Sequence, residues 1–290
     1  MNSDDFSLDM AKVTEGNLSD KIDKATHLFQ KNGFIRLENI FEPSFIKSIT
    51  DFYNKNYLYS IKNSNAKDKR PLHTLTIDGP LNSPEYYANP KVTPLLKNLL
   101  GDNYIIGSFS GVLSFPGAPD QRIHRDSEPL YNTQDNYEID VKLPAHSVTF
   151  LVPLVDCNKQ TGCTRVWPGS HLISTNEAAK EIEAFDPEVS VGSILLTDSR
   201  VIHHGAANKS DIHRPLLYIT YHRHWFRDYW GYEHRPPIHI NTKQLNIVPK
   251  EYQHLFSWTK NPYKRWEFKQ AFFKLLPSAI LNKFNIIKGR

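Results

Sequence analysis

The sequence predicts a mainly β fold, a barrel or sandwich flanked at its N-terminal end by helices. Three observations predict it. Residues 104–115, 147–155, 193–197 and 212–222 are rich in Ile, Val, Phe, Tyr and Thr, which suit a pleated, half-buried surface. Turn signals separate these runs: Pro116-Gly117, residues 158–162, Pro168-Gly169 and residues 208–211. Ahead of Gly101 the apolar residues recur at helical spacing instead.

In chain order, residues 1–17 are polar and expected to be loose. Ser19 can cap a helix in which Ile22, Ala25 and Phe29 share a face, and Asn32-Gly33 stop it. Residues 34–37 read as a short strand. Pro43, whose fixed φ suits the first helical position, opens a second helix through Ile46, Ile49 and Phe52. Residues 62–90 are polar and Pro-bearing, so loop with short elements is expected there. No internal repeat, low-complexity block or Pro/Gly/Ser linker interrupts the chain. One domain of 290 residues is therefore expected: a loose 1–17, a helical flank over 18–100, a β core over 101–225 and a C-terminal extension over 226–290. That extension returns to helical character, with an aromatic-rich run at 266–276 broken by Pro277. Its last forty residues hold eight Lys or Arg against two Glu. A solvated amphipathic helix accounts for that excess, and a membrane-surface or partner contact is the alternative.

Hydrophobic residues at 39% and charged residues at 23% are those of an ordinary globular chain. A net charge of +4, dispersed along the sequence, gives no basic stripe for nucleic acid. No run of eighteen apolar residues and no apolar leader occur, so a cytoplasmic protein without a membrane span is expected. Cys157 and Cys163 match no zinc spacing and read as reduced thiols.

The chemistry begins at His124-Arg125-Asp126. On an extended strand, residues i and i+2 project from one face, so His124 and Asp126 can converge on one ion. An isolated His-x-Asp is a common strand-edge pair. The kinase catalytic loop, which shares His-Arg-Asp, needs an Asn where this chain has Tyr131, and the chain lacks the phosphate loop as well. A third ligand is offered by His203-His204-Gly205. Neighbouring strand residues face opposite ways, so only one of the two histidines can point at the metal. Two histidines and one carboxylate with three positions open form the facial triad of non-haem Fe(II) oxygenases. Residues 208–211 can reverse the chain, which would set the strand 212–222 antiparallel beside the one carrying His204. Arg214 could then point into the barrel, where a guanidinium grips a carboxylate with two parallel hydrogen bonds.

Taken together, His124-x-Asp126, residues 162–171 with Trp167-Pro168-Gly169-Ser170-His171, residues 192–198 ending in Asp198, and His204-Gly205 with Asn208 and Arg214 resemble the phytanoyl-CoA dioxygenase family. The pieces run in family order from about residue 104 to 222, with weaker similarity from Asn32 onwards. The resemblance implies a double-stranded β-helix, a cupin-like jelly roll. It implies an Fe(II)/2-oxoglutarate dioxygenase that takes O2 and releases succinate and CO2. It carries His124, Asp126 and His204 over as iron ligands, the glycine after His204 favouring it over His203, and Arg214 as the clamp for the co-substrate's tail carboxylate. Two positions depart from the family: Ala206 stands where several members have a hydroxyl residue, and the stretch from Asp126 to Pro144 is long. The chlorinating relatives replace the carboxylate that Asp126 supplies here.

Around that centre, Ser108 is a candidate co-substrate contact, and Tyr131 and Trp225 are candidates for the substrate pocket. His171 reads as part of a structural turn and Asp198 as a loop anchor. His222-x-His224 has the spacing of a metal pair without a third ligand. The expected partner is a small-molecule metabolite that is hydroxylated, or else desaturated or cyclised. The other two readings are a non-catalytic jelly-roll binding protein and a cupin-like metalloenzyme that needs no oxoacid.

Overall fold

The computed structural model describes residues 2–11, 13–61, 66, 68–128, 143–173, 181–228 and 238–259. The strands are β1 (Ser7–Asp9), β2 (Phe34–Glu38), β3 (Leu72–Thr74), β4 (Ile105–Ser114), β5 (Ser147–Pro153), β6 (Thr164–Val166), β7 (Ile194–Asp198), β8 (His203–Gly205) and β9 (Arg214–His222). The helices are α1 (Leu18–Asn32), α2 (Pro43–Tyr53), α3 (Tyr59–Ile61), α4 (Pro84–Tyr87), α5 (Thr93–Leu100) and α6 (Thr242–Ile247). Seven strands form a major sheet in the order β1-β2-β7-β5-β9-β4-β3. All its pairs are antiparallel except β1 with β2. A minor sheet pairs β6 with β8, and His124 bridges to His203 on the other edge of β8. From β5 to β9 the chain therefore alternates between sheets, major to minor and back at each step. That winding makes the fold a jelly roll.

The central strands of the major sheet are buried along most of their length because both of their faces are covered. All seven residues of β5 are buried. Val148, Phe150 and Val152 join Phe109, Leu196, Ile219 and Tyr221 in the main core, which Phe29 of α1, Ile46 of α2 and Leu96 of α5 close from the helical side. The opposite face carries Ser108, Ser110, Thr149, Thr197 and Thr220, and these line a cavity between the sheets. Period-2 alternation puts carbon against the helices and hydroxyls toward the cavity. One irregularity matters to the site. The register of β4 against β9 shifts between Ile106 and Ser108, leaving Gly107 as the extra residue of a bulge. A methyl group at Gly107 would overlap the imidazole of His222.

Gly33 ends α1 in the left-handed conformation (φ 81°), as its sequence position predicts. Pro43 opens α2 at its first turn. Other expectations need correcting. The first helix begins at Leu18 behind Asn17, so Ser19 lies inside it and caps nothing. The turn at 208–211 does not make a hairpin: β9 pairs with β4 and β5 in the major sheet, and residues 206–213 carry the chain across from β8. The short β1 and β6 were not expected, whereas β3 and α4 are short elements within the expected loop of residues 62–90 and α5 falls in the expected helical flank. The aromatic run at 266–276 lies outside the described residues, ahead of which come α6 and a 3₁₀ segment, Lys250–Thr259. Among the described residues no helix is long and apolar enough to cross a membrane.

Candidate functional site

The site is built where the His124 segment, β8 and β6 lie side by side. His124 N donates to His203 O at 3.0 Å, and His203 N donates back to His124 O at 2.9 Å. This bridge brings the two imidazoles to a ring separation of 4.4 Å. Asp126, two residues on from His124, sets Oδ1 3.8 Å from His124 Nε2 and 3.6 Å from His203 Nε2. One ligand atom from each of the three residues lies within 4.8 Å of the other two.

His203, and not His204, completes the group, which corrects the expectation drawn from the following glycine. The physical reason lies in the register of β6 and β8. Val166 is opposite His203, Arg165 opposite His204, and Thr164 opposite Gly205. Thr164, His203 and Gly205 line the cavity, and Val166 is buried in the inner core. Arg165 points the other way into a bidentate pair with Asp186, at 2.7 and 2.6 Å. His204 follows Arg165, its ring 5.7 Å from that of Trp167. The Thr164-Arg165-Val166 alternation was the available signal, but three residues are too few to announce a strand.

The donor set fits a divalent metal. His124 Nδ1 lies 2.8 Å from Arg122 O, and His203 Nδ1 lies 3.1 Å from Val201 O. Each Nδ1–H donates to its carbonyl, so the Nε2 lone pairs are directed toward Asp126. Burial, and then the neighbouring His203, push the His124 pKa down, which keeps that imidazole neutral and able to ligate. Two imidazoles and a carboxylate on one side of an ion leave the other side open, as the facial arrangement requires.

A cavity of about 280 Å³ adjoins the three residues. Arg214, at the start of β9, lines it with 2% exposure, and its Nε has no hydrogen-bond partner. A buried guanidinium with an unsatisfied donor fits an anionic ligand. Tyr218 shares that face, its hydroxyl pushed well up by burial and so kept protonated. Arg70 is the residue that sequence reasoning missed. It lines the same cavity, is buried, and donates to Pro119 O and Ala206 O while its Nε stays unpartnered. It sits just ahead of β3 in a stretch whose polarity reads only as loop. Gln121 also faces the cavity, and its Oε1 accepts from Gly205 N at 2.9 Å.

Ser108 reaches the cavity, where its Oγ donates to Thr220 Oγ1 at 2.9 Å. Trp225 does not: it is 54% exposed, and Phe226 and Asp228 line the cavity instead. Tyr131 lies outside the described residues. Asp198 anchors its loop, accepting from the Arg200 backbone and guanidinium in a buried pair. His171 packs against Gly33 with Nε2 3.1 Å from Gln30 O, a structural role. His222 is buried while His224 is exposed, so that spacing forms no pair. Cys157 and Cys163 are free and buried, and burial pushes both thiols up, Cys163 to about 12.

Comparison with known proteins places this geometry. Dioxygenase FUM3 of Gibberella moniliformis is 32% identical over 121 residues, which is 41% of this chain and 39% of that protein. Dioxygenase andF of Emericella variicolor is 23% identical over 228 residues, 74% of this chain and 79% of its own. The chain thus spans well under half the length of FUM3. Among solved structures, the epimerase SnoN in complex with Fe3+, alpha ketoglutarate and nogalamycin RO superposes with a TM-score of 0.57 at 15% identity, covering 72% of this chain and 87% of that one. HygX from Streptomyces hygroscopicus, with nickel, 2-oxoglutarate and hygromycin B bound, gives 0.54 at 16% identity, over 74% and 89%. At such identities these two neighbours speak to the fold, the same jelly roll. A family model described as Phytanoyl-CoA dioxygenase (PhyH) matches residues 29–216, from the end of α1 into β9 and across His124, Asp126 and His203, and the chain belongs to that family.

Proposed function

We propose that the chain is an Fe(II)/2-oxoglutarate-dependent dioxygenase that oxidises a small-molecule metabolite, with His124, Asp126 and His203 as the iron ligands. The observation that carries it is the convergence of His124 Nε2, His203 Nε2 and Asp126 Oδ1 beside a cavity that also holds the buried Arg214. Family membership and the names of the relatives, dioxygenases throughout, support the same activity.

The residues divide the work. The carbonyls of Arg122 and Val201 hold the two imidazoles in the tautomer that presents Nε2. Asp126 offsets one unit of the metal's charge. Arg214 binds the tail carboxylate of 2-oxoglutarate, and Tyr218 and Arg70 add donors to the same end. The covered faces of both sheets keep bulk water from that end. When bound, iron supplies the O2 activation that couples decarboxylation of 2-oxoglutarate to substrate oxidation. One oxygen atom of O2 ends in succinate and, in a hydroxylation, the other in the product.

The test is succinate formation from Fe(II), 2-oxoglutarate and air by anaerobically reconstituted protein. Wild type should release succinate slowly even without a substrate. Absence of succinate, together with unchanged iron binding after His124→Ala and Asp126→Ala, would overturn the proposal. A metabolite screen by mass spectrometry separates the outcomes: a gain of one oxygen for hydroxylation, a loss of two hydrogens for desaturation or cyclisation.

A further inference from the structure

The cavity has two chemically different ends, set by the two ends of one strand. Arg214 opens β9 and His222 closes it, about 26 Å apart at ~3.3 Å per residue. Near Arg214 the unpartnered buried atoms that belong to cavity-lining residues are guanidinium nitrogens, the Nε of Arg70 and of Arg214 itself. Near His222 they are uncharged, Ser199 Oγ and His222 Nδ1, with His146 Nδ1 behind them. Buried polar atoms without partners are uncommon, and a group of them along a cavity marks where a ligand supplies the missing bonds.

Backbone pairing gathers these residues. Ser147 pairs with His222, Ser199 N donates to Ser147 O, and Ser127 N donates to Ser199 O. Ser127, Ser199, His222 and Phe226 all line the cavity. His146 stands behind them, its Nε2 2.9 Å from Ser127 Oγ. Phe226 sits between the two histidines, with ring separations of 4.4 Å to His146 and 5.0 Å to His222. Ser127 directly follows Asp126, so this end begins at the iron ligands and runs away from Arg214.

We infer that this end is an uncharged substrate subsite, in which Ser127, Ser199 and His222 hydrogen-bond a hydroxyl- or carbonyl-bearing part of the oxidised molecule while Phe226 packs on its carbon face. The inference rests on the iron and 2-oxoglutarate assignment above, which gives the opposite end to the co-substrate. The local charges exclude an ionic ligand from both sides. Arg223 beside His146, and Arg227 beside His222, oppose a cation, while Arg200 is already neutralised by Asp198. Asp228 in the lining opposes an anion. Burial, aided by those arginines, lowers His146 to about 4 and His222 to about 3, so both imidazoles are neutral at pH 7 and offer hydrogen bonds rather than charge. His146 acts through Ser127 and is a positioning residue.

The test is calorimetric titration of the anaerobic Fe(II)·2-oxoglutarate protein with three probes on one ring: cyclohexane-1,2-diol, cyclohexanecarboxylate and cyclohexylammonium. The diol should bind at least about tenfold more tightly than either ion. Ser199→Ala and His222→Phe should each weaken the diol at least about tenfold more than they weaken 2-oxoglutarate. His146→Gln, which keeps a donor toward Ser127, should restore most of the affinity that His146→Phe loses. Thermal melts identify any variant that fails to fold, and Ser127→Ala then replaces it. Preferred binding of an ion, no binding of the diol, or losses shared equally by diol and 2-oxoglutarate would overturn the inference. The initial 2-oxoglutarate titration of wild type is read before any probe is added. Its failure would overturn the co-substrate assignment instead.

Discussion

His203 sets its Nε2 3.6 Å from Asp126 Oδ1 and donates its Nδ1–H to the carbonyl of Val201, so the imidazole is held at Nδ1 with Nε2 facing the carboxylate. The adjacent His204 has neither partner. Its ring lies against Trp167 on the opposite face of β8. His203→Ala should therefore lower Fe(II) affinity by about 100-fold or more, while His204→Ala should keep full iron stoichiometry and lose only stability. Metal analysis after gel filtration, with calorimetry for the affinities, checks both. Equal losses from the two variants would contradict the assignment.

Arg214→Lys tests the clamp. A lysine keeps the charge but not the planar fork, and the loss of one charge-assisted hydrogen bond of about 1.5–3 kcal/mol should raise the 2-oxoglutarate KM roughly ten- to hundredfold. The succinate assay reads it directly. If the KM is unchanged, the oxoacid is held elsewhere or not used.

Gly107→Ala probes the bulge in β4. The added methyl would overlap three atoms of the buried His222 ring, so the ring or the strand must shift. Overpacking of this kind costs about 1–3 kcal/mol, so thermal unfolding followed by circular dichroism should fall by several degrees.

The pH dependence of stability follows from His146 and His222. Their folded pKa values, about 4 and about 3, lie below the ordinary 6.5, because burial disfavours the imidazolium. Between pH 6.5 and those values the unfolded chain binds more protons than the folded one. Stability is therefore fully present above pH 6.5 and falls as pH drops, by up to about 1.4 kcal/mol per pH unit for each histidine. Urea unfolding at stepped pH, in chelator to keep metal release out of the measurement, should show this slope, and His222→Phe should reduce it.

Much of the fold was legible because the long strands are dense in β-branched and aromatic residues, which announce themselves one strand at a time. Residues 104–115 and 147–155 came within two residues of β4 and β5. The three-residue β6 could not be read this way, and the choice between His203 and His204 depended on its pairing with β8. Alternation correctly said that only one histidine could face the metal. Which one was fixed by Arg165 across the sheet, a partner 39 positions earlier and invisible without the pairing. The hairpin drawn after Gly205 failed for a related reason. A turn signal shows that the chain reverses, not which sheet it reverses into. Arg70 stayed hidden because its value comes from sharing a cavity with Arg214, a relationship of space rather than of sequence.

The continuity of β9 constrains how this chain can diversify. On the proposed function, substitutions near His222 would retune which metabolites are accepted without touching Arg214, since the nine residues between and including them form one unbroken strand. A single-residue insertion or deletion within it is a different matter. It would invert the facing of every side chain on one side of the change and evict either the co-substrate clamp or the substrate wall. Laboratory evolution of specificity should therefore find its gains in point changes around Ser127, Ser199 and Phe226, and length variation should be tolerated only in the loops that join the two sheets.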